Sequence, residues 1–156
     1  VQLVHAKIAA SRSFYNYREG QITPAHLRVH ARTAHALDLI AETQKGDILI
    51  VAAQLGMRHR GRSVRRAREV FVANEFSLGS LAVGSIVLTH PERLVRWEEL
   101  DMNYSGDEFS PGAGGGFSES PFFDFRGGEV RFGAFFVGYP SDYFGSVSGF
   151  LSQCDP

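Results

Sequence analysis

Short apolar runs, each cut off by Gly, Ser, Asn or Pro, constrain the fold of this chain more than any other feature. Ile48-Leu49-Ile50-Val51-Ala52-Ala53-Gln54-Leu55 follows the turn Gln44-Lys45-Gly46-Asp47, and Glu69–Ala73 and Leu81–Thr89 come next. Phe122–Phe125 and Glu129–Tyr139 flank Gly127-Gly128 as a hairpin. Runs of this length rich in β-branched and aromatic residues suit strands, and 48–55 reads as a central one. Upstream, Ala25, Leu27, Val29 and Ala31 alternate with His26, Arg28, His30 and Arg32, the two-residue period of a half-buried strand. A helix over 24–41 competes, because Thr23-Pro24 suits a cap followed by a first-turn proline. Leu94, Val95, Trp97 and Leu100 predict a helix over Pro91–Leu100, with a strand through Leu94–Trp97 as the alternative. Residues 103–121 contain Gly106, Pro111, Gly112, Gly114, Gly115, Gly116 and Pro121, and read as one long loop, functional or mobile.

Strands at short spacing with little helix predict a mainly β fold. The expected form is an antiparallel β-sandwich or jelly roll with at most one or two short helices, a single domain over 1–156. The 156 residues, 44% hydrophobic and 21% charged, match the balance of one globular domain. Cys154 stands alone, which excludes an internal disulfide, and it has no nearby base to make it reactive. No run approaches the roughly 18 apolar residues that a membrane span needs. Residues 1–20 lack a basic region followed by an apolar block, so no signal peptide is expected. A start at Val1 implies a processed or trimmed N-terminus, or a piece of something longer.

The net charge of −1 is a cancellation. Six of the chain's arginines, Arg58, Arg60, Arg62, Arg65, Arg66 and Arg68, lie within eleven residues beside His59. Acidic residues gather later: Glu98, Glu99, Asp101, Asp107, Glu108, Glu119, Asp124 and Glu129. Guanidinium forks suit phosphates and carboxylates equally. The block therefore reads as a solvated loop, as a contact with the acidic surface of a neighbouring subunit, or as a nucleic-acid contact. The last wants interleaved aromatics for single strands, and residues 58–68 contain none. Aromatics crowd the last third instead, where they fill a core or form an interface. Phe117, Phe122 and Phe123 join the arginines as candidate partner-binding residues.

Asp101, Asn103, Ser105 and Asp107 match the first half of a calcium loop, with oxygen ligands alternating before a sharp turn. The second half fails, because Gly112 occupies the position of the bidentate glutamate. His26, His30 and His35 lie close together, but Arg28 between the first two weakens a cation site. Gly145-Ser146-Val147-Ser148-Gly149 has Val147 where a nucleophile elbow needs serine. Gly112–Gly116 lacks the Lys-Ser/Thr of a phosphate loop. No catalytic residue is assigned, and no cofactor is expected apart from calcium.

Tyr143-Phe144-Gly145-Ser146-Val147-Ser148-Gly149-Phe150-Leu151 resembles the closing segment of C1q-type jelly rolls. Ala34–Ile40 followed by Gln44–Val51 resembles the strand–Gly-Asp–strand units of β-sandwich modules in bacteriophage tail and fibre proteins. Together they imply a non-enzymatic assembly or receptor-contact domain, placed in a virion or an extracellular assembly, with copies of itself or other assembly proteins as partners. The expected function is thus structural, acting through protein–protein contacts. The alternatives are a small-ligand or metal-dependent β-sandwich enzyme, and nucleic-acid contact through Arg58–Arg68.

Overall fold

The computed structural model describes residues 1–113 and 115–152; Cys154 lies outside them. The elements run α1 (Gln2–Ser11), β1 (Phe14–Asn16), β2 (Leu27–Val29), α2 (Ala31–Thr43), β3 (Ala52–Gln54), a single helical turn (Met57–His59) and α3 (Val64–Val70). They continue with β4 (Glu75–Ser77), α4 (Ser80–Thr89), β5 (Asp101–Asn103), β6 (Asp107–Phe109), β7 (Glu119–Arg126), β8 (Glu129–Phe136), β9 (Phe144–Ser146) and β10 (Ser148–Phe150). Helices hold 28% of the chain and strands 26%, so the fold is mixed α/β and the predicted sandwich or jelly roll is overturned. Among the described residues, no helix is long and apolar enough to cross a membrane.

The larger sheet has the order β1-β8-β7-β5-β9, with β6 beside β7 and β2 beside β6. Two of its pairings, β1 with β8 and β5 with β9, are parallel. The smaller sheet, β3-β10-β4, is antiparallel. Residues 144–150 pass from one sheet to the other. At the crossing, the Val147 N–H donates to the Asn103 carbonyl (3.0 Å) and its carbonyl accepts from Leu78 (3.2 Å). One apolar core joins α1, α2 and α4 to both sheets through Ile8, Ile40, Phe76, Val83, Val87, Phe123 and Phe132.

The hairpin is where the sequence puts it: β7 and β8 pair antiparallel from Glu119↔Phe136 to Arg126↔Glu129. Gly127 and Gly128 supply the positive φ of the turn (63° and 85°). Other elements differ, each for a local reason. The apolar run 81–89 is helix α4, with Ser80, Val83, Gly84 and Val87 as its buried positions. That is helical spacing, hidden because two of the four are not large and apolar. Alternation over 25–32 yields only β2. His30 then accepts from the Arg32 N–H (3.3 Å) and caps α2, so the competing helix reading holds from residue 31. The run 69–73 is split: Ser63 accepts from the Arg66 N–H (3.2 Å) and starts α3, which carries the chain to Val70.

The predicted central strand over 48–55 shrinks to β3, at the edge of the small sheet. The Gln44 amide stands in for a strand neighbour, donating to the Ile50 carbonyl (2.8 Å) and accepting from its N–H (2.7 Å). No helix forms over 91–100. Leu94 is fully buried at φ +51°, a left-handed conformation that leucine rarely adopts. Arg12 donates to the carbonyls of Arg93 (2.8 Å) and Leu94, and the Glu99 carboxylate accepts from the N–H groups of Leu94, Val95 and Arg96. These charged side chains satisfy the backbone that a helix would have paired. The predicted 103–121 loop contains the end of β5, all of β6 and the start of β7.

Candidate functional site

Helix α4 has no charged residue and, apart from Ser80, Ser85 and Thr89, is apolar, so apolar side chains stand on more than one of its sides. One side meets the core through Val83 and Val87. The other lines a cleft of about 580 Å³ shared with α2, β2 and the extended segment leading into β3. Leu81, Ala82 and Ile86 form one wall; Val1, Leu27, Val29 and Leu37 and, across from them, Leu49, Val51 and Ala53 supply most of the remaining apolar lining. The last three lie two residues apart and face the cleft together, which turns Ile48 and Ile50 outward to 80% exposure.

Asp107 at the start of β6 lies in the lining, beside Gly79. Its Oδ2 accepts from the Ser80 N–H (2.6 Å), capping α4 from across the chain. A Cβ on Gly79 would stand 2.4 Å from Asp107 Oδ1, so only glycine allows this approach. Burial pushes the Asp107 carboxyl up, against the hydrogen bonding from Ser80. Other polar groups of the lining are spent internally. Thr33 donates to the Ser77 carbonyl (3.0 Å), Ser85 to Leu81 (2.8 Å) and Arg28 to Glu108 (2.8 Å). The cleft therefore offers mainly apolar contact, with the Asp107 carboxyl and the backbone amino group of Val1 as the polar groups left at its lining.

The arginine block divides by use. Arg58 donates to the buried Glu75 (3.2 Å) and Arg66 to Glu69 (2.9 Å). Arg68 turns inward to the carbonyls of Ser105 (2.9 Å) and Asp107 (3.0 Å). Arg60 donates to the Asp142 carbonyl (3.0 Å), Arg62 to His59 Nδ1 (3.0 Å), and Arg65 lies over the Phe136 ring at 5.7 Å.

Beneath the block, β4, β10 and the 57–59 turn meet at Glu75. Its Oε1 accepts from His59 Nε2 (2.7 Å) and from the Ser148 hydroxyl (2.5 Å). Gln54 Nε2 donates to Ser148 Oγ (2.8 Å). A guanidinium can only donate, so Arg62 makes His59 Nδ1 an acceptor and leaves the proton on Nε2. Both His59 and Ser148 thus donate to one carboxylate oxygen; the imidazole is not placed to activate the hydroxyl, and the group acts as a structural lock. Burial opposes ionisation of Glu75, but the hydrogen bonds from Ser148 and His59 prevail and hold its carboxyl below the usual range. Sequence reading found His59 but not Glu75 or Ser148, which are 16 and 73 residues from their partners.

The four calcium candidates divide among separate contacts. Asp101 pairs with Arg126 (3.1 Å), and burial pushes its carboxyl up to about 6 against that pairing. Asp107 serves α4. Asn103 and Ser105 are fully buried, with no hydrogen-bond partner for their side chains among the described residues. Among the described residues no three His, Cys, Asp or Glu side chains gather as a metal site. His26 bonds the Ser110 carbonyl (2.8 Å), His30 caps α2 and His35 is exposed. Of the aromatic candidates, Phe123 is buried in the core, Phe122 packs on Phe135 (5.2 Å), and Phe117 lies under the Arg28 guanidinium (3.9 Å).

No family model, curated protein or solved structure matches the chain.

Proposed function

We propose that this chain is a binding protein for a small, largely apolar ligand held between α2 and α4. The observation that carries this reading is the cleft of about 580 Å³, within the range of small-molecule sites and lined mainly by aliphatic side chains. Burying twelve methylenes yields about 10 kcal/mol. An association cost of at least ~4 kcal/mol leaves about 6, a Kd of tens of micromolar.

The test is titration with the environment-sensitive dye N-phenyl-1-naphthylamine. Saturable fluorescence enhancement is expected, with at least tenfold weaker binding in Leu37→Glu and Leu81→Glu. Both side chains are partly exposed, so the thermal midpoints should stay close to that of the parent. Equal binding by parent and variants, or none by the parent, would remove the reading.

The assembly role implied by the resemblance to phage modules is a second reading, favoured by the outward Ile48 and Ile50. Contiguous exposed apolar side chains mark contact surfaces. Light scattering separates the two. An oligomer that becomes monomeric in the Ile48→Asp/Ile50→Asp double variant supports assembly through this rim, whereas a parent that stays monomeric at high concentration removes it.

A further inference from the structure

The nucleic-acid reading of the arginine block lacked aromatic rings, and the fold brings them from elsewhere. Residues 136–144 are pinned along the 60–65 segment. The Arg65 N–H donates to the Val137 carbonyl (2.9 Å), the Gly61 N–H to the Phe144 carbonyl (3.0 Å) and Arg60 Nε to the Asp142 carbonyl (3.0 Å). Phe136, Tyr139 and Tyr143 are each more than half exposed. Phe136 lies under the Arg65 guanidinium, and Tyr139 meets Phe144 edge-on at 6.2 Å. Among the described residues, Arg60, Arg62 and Arg65 have no carboxylate within ion-pair distance, unlike Arg58 and Arg66. Arg65 therefore stands over one of three exposed rings, and the exposed Arg60 and Arg62 are carried on the backbone segment hydrogen-bonded to the one that bears those rings.

We propose that this surface binds single-stranded nucleic acid, with Arg60, Arg62 and Arg65 on phosphates and Phe136, Tyr139 and Tyr143 as stacking platforms for bases. Charge alone would attract any polyanion; exposed rings beside exposed guanidiniums favour one that carries flat bases. A duplex keeps its bases stacked inside and offers these rings nothing. The Asp142 side chain, next to Gly61, repels phosphate and limits the path to the arginine side of the rings. This site is separate from the apolar cleft, and the inference does not depend on it.

The experiment is fluorescence anisotropy with a labelled single strand of twenty deoxythymidines and the full chain. Three phosphate contacts to a single strand give a log–log salt slope of about −2, or about 20-fold weaker binding at 200 mM than at 50 mM NaCl. Tyr139→Ala and Tyr143→Ala should each weaken binding at least fivefold with the slope unchanged. Arg60→Ala/Arg65→Ala, which keeps Arg62 on His59, should flatten the slope. A duplex of the same length should bind at least tenfold more weakly. No binding at 50 mM NaCl overturns the proposal. So does binding that heparin displaces equally well and the tyrosine variants leave unchanged, since that is attraction to polyanions in general. Unchanged far-UV circular dichroism checks that these surface variants fold.

Discussion

His5 is a buried imidazole, and its burial makes the fold sensitive to acid. It lies on α1 at 5% exposure, with ring centroids of Phe132, Phe14 and Phe123 at 4.4, 5.4 and 5.6 Å. Neither ring nitrogen has a hydrogen-bond partner among the described residues. Burial depresses its pKa from 6.5 to about 4. The unfolded chain therefore binds a proton on His5 between pH 6.5 and 4 while the folded chain does not, and stability falls as the pH falls through that window. At 1.4 kcal/mol per unit, the full loss is about 3 kcal/mol, of which 2 to 3 is expressed at pH 4.5, a large share of a typical 5–15 kcal/mol. His5→Leu removes the titration at similar volume. At pH 7.5 it exchanges two unpartnered nitrogens for lost aromatic contact, and the two nearly offset. Urea unfolding of parent and variant at pH 7.5, 6.5, 5.5 and 4.5 isolates the effect, because other titrating groups cancel in the difference. The variant's advantage should grow by about 2 to 3 kcal/mol toward pH 4.5. A pH-independent difference would refute the assignment of His5 as a buried neutral imidazole.

Three further tests, two of them paired comparisons, address the packing. Glu75→Gln turns amide hydrogens toward donors and should cost about 3 kcal/mol or more at pH 7 by urea unfolding. Because the folded carboxyl titrates below its ordinary value, its stabilisation is present above the unfolded value near 4.3 and is lost as pH falls through the folded one, so the deficit should shrink at pH 3. Gly56→Ala meets φ +107° and puts its Cβ 2.9 Å from the Gly145 carbonyl oxygen; Gly20→Ala, at φ +76° with open space around it, meets only the conformational cost. That cost is about 1–3 kcal/mol, and a thermal midpoint no lower for Gly56→Ala than for Gly20→Ala would remove the Gly56–Gly145 contact from the account. Arg68→Ala deprives two carbonyls of a charged donor and should cost about 2 kcal/mol, whereas exposed Arg60→Ala should stay within about 0.5; equal urea midpoints would show that the block is not divided as described.

What the sequence discloses is mostly what neighbouring residues decide. The β7–β8 hairpin is legible because the double glycine and its flanking alternation are local. Helix α4 is not legible as a helix, because its buried stripe runs through Ser80 and Gly84, and Gly84 fits there by lying against Val4. The strand potential of Ile48–Val51 is real, but it meets Gln44 instead of a neighbouring strand. Arginine clustering is plain in the sequence, whereas its division into inward and outward side chains depends on Glu75, Ser105 and Asp142, the last of which lies 82 residues from Arg60. The cleft is not legible because its lining comes from segments far apart in the sequence, Val1, 27–37, 49–53, 78–86 and Asp107, which only the fold brings together.

The inward arginines explain how an outward basic surface can exist on a chain with net charge −1. Arg58 and Arg68 settle on Glu75 and on backbone carbonyls, anchoring the segment from below at two points, while Arg60, Arg62 and Arg65 are carried on the same backbone without a carboxylate to neutralise them. If all six had faced acidic partners, the cluster would have cancelled locally and the chain would have been as neutral in detail as it is in sum. The lock at Glu75 is therefore a condition for the surface above it: it fixes the 57–59 turn against β4 and β10, and residues 60–65 leave that turn already aligned with 136–144. Loosening Glu75 should disturb the arrangement of guanidiniums and rings together, whereas changing the rings should leave the lock intact.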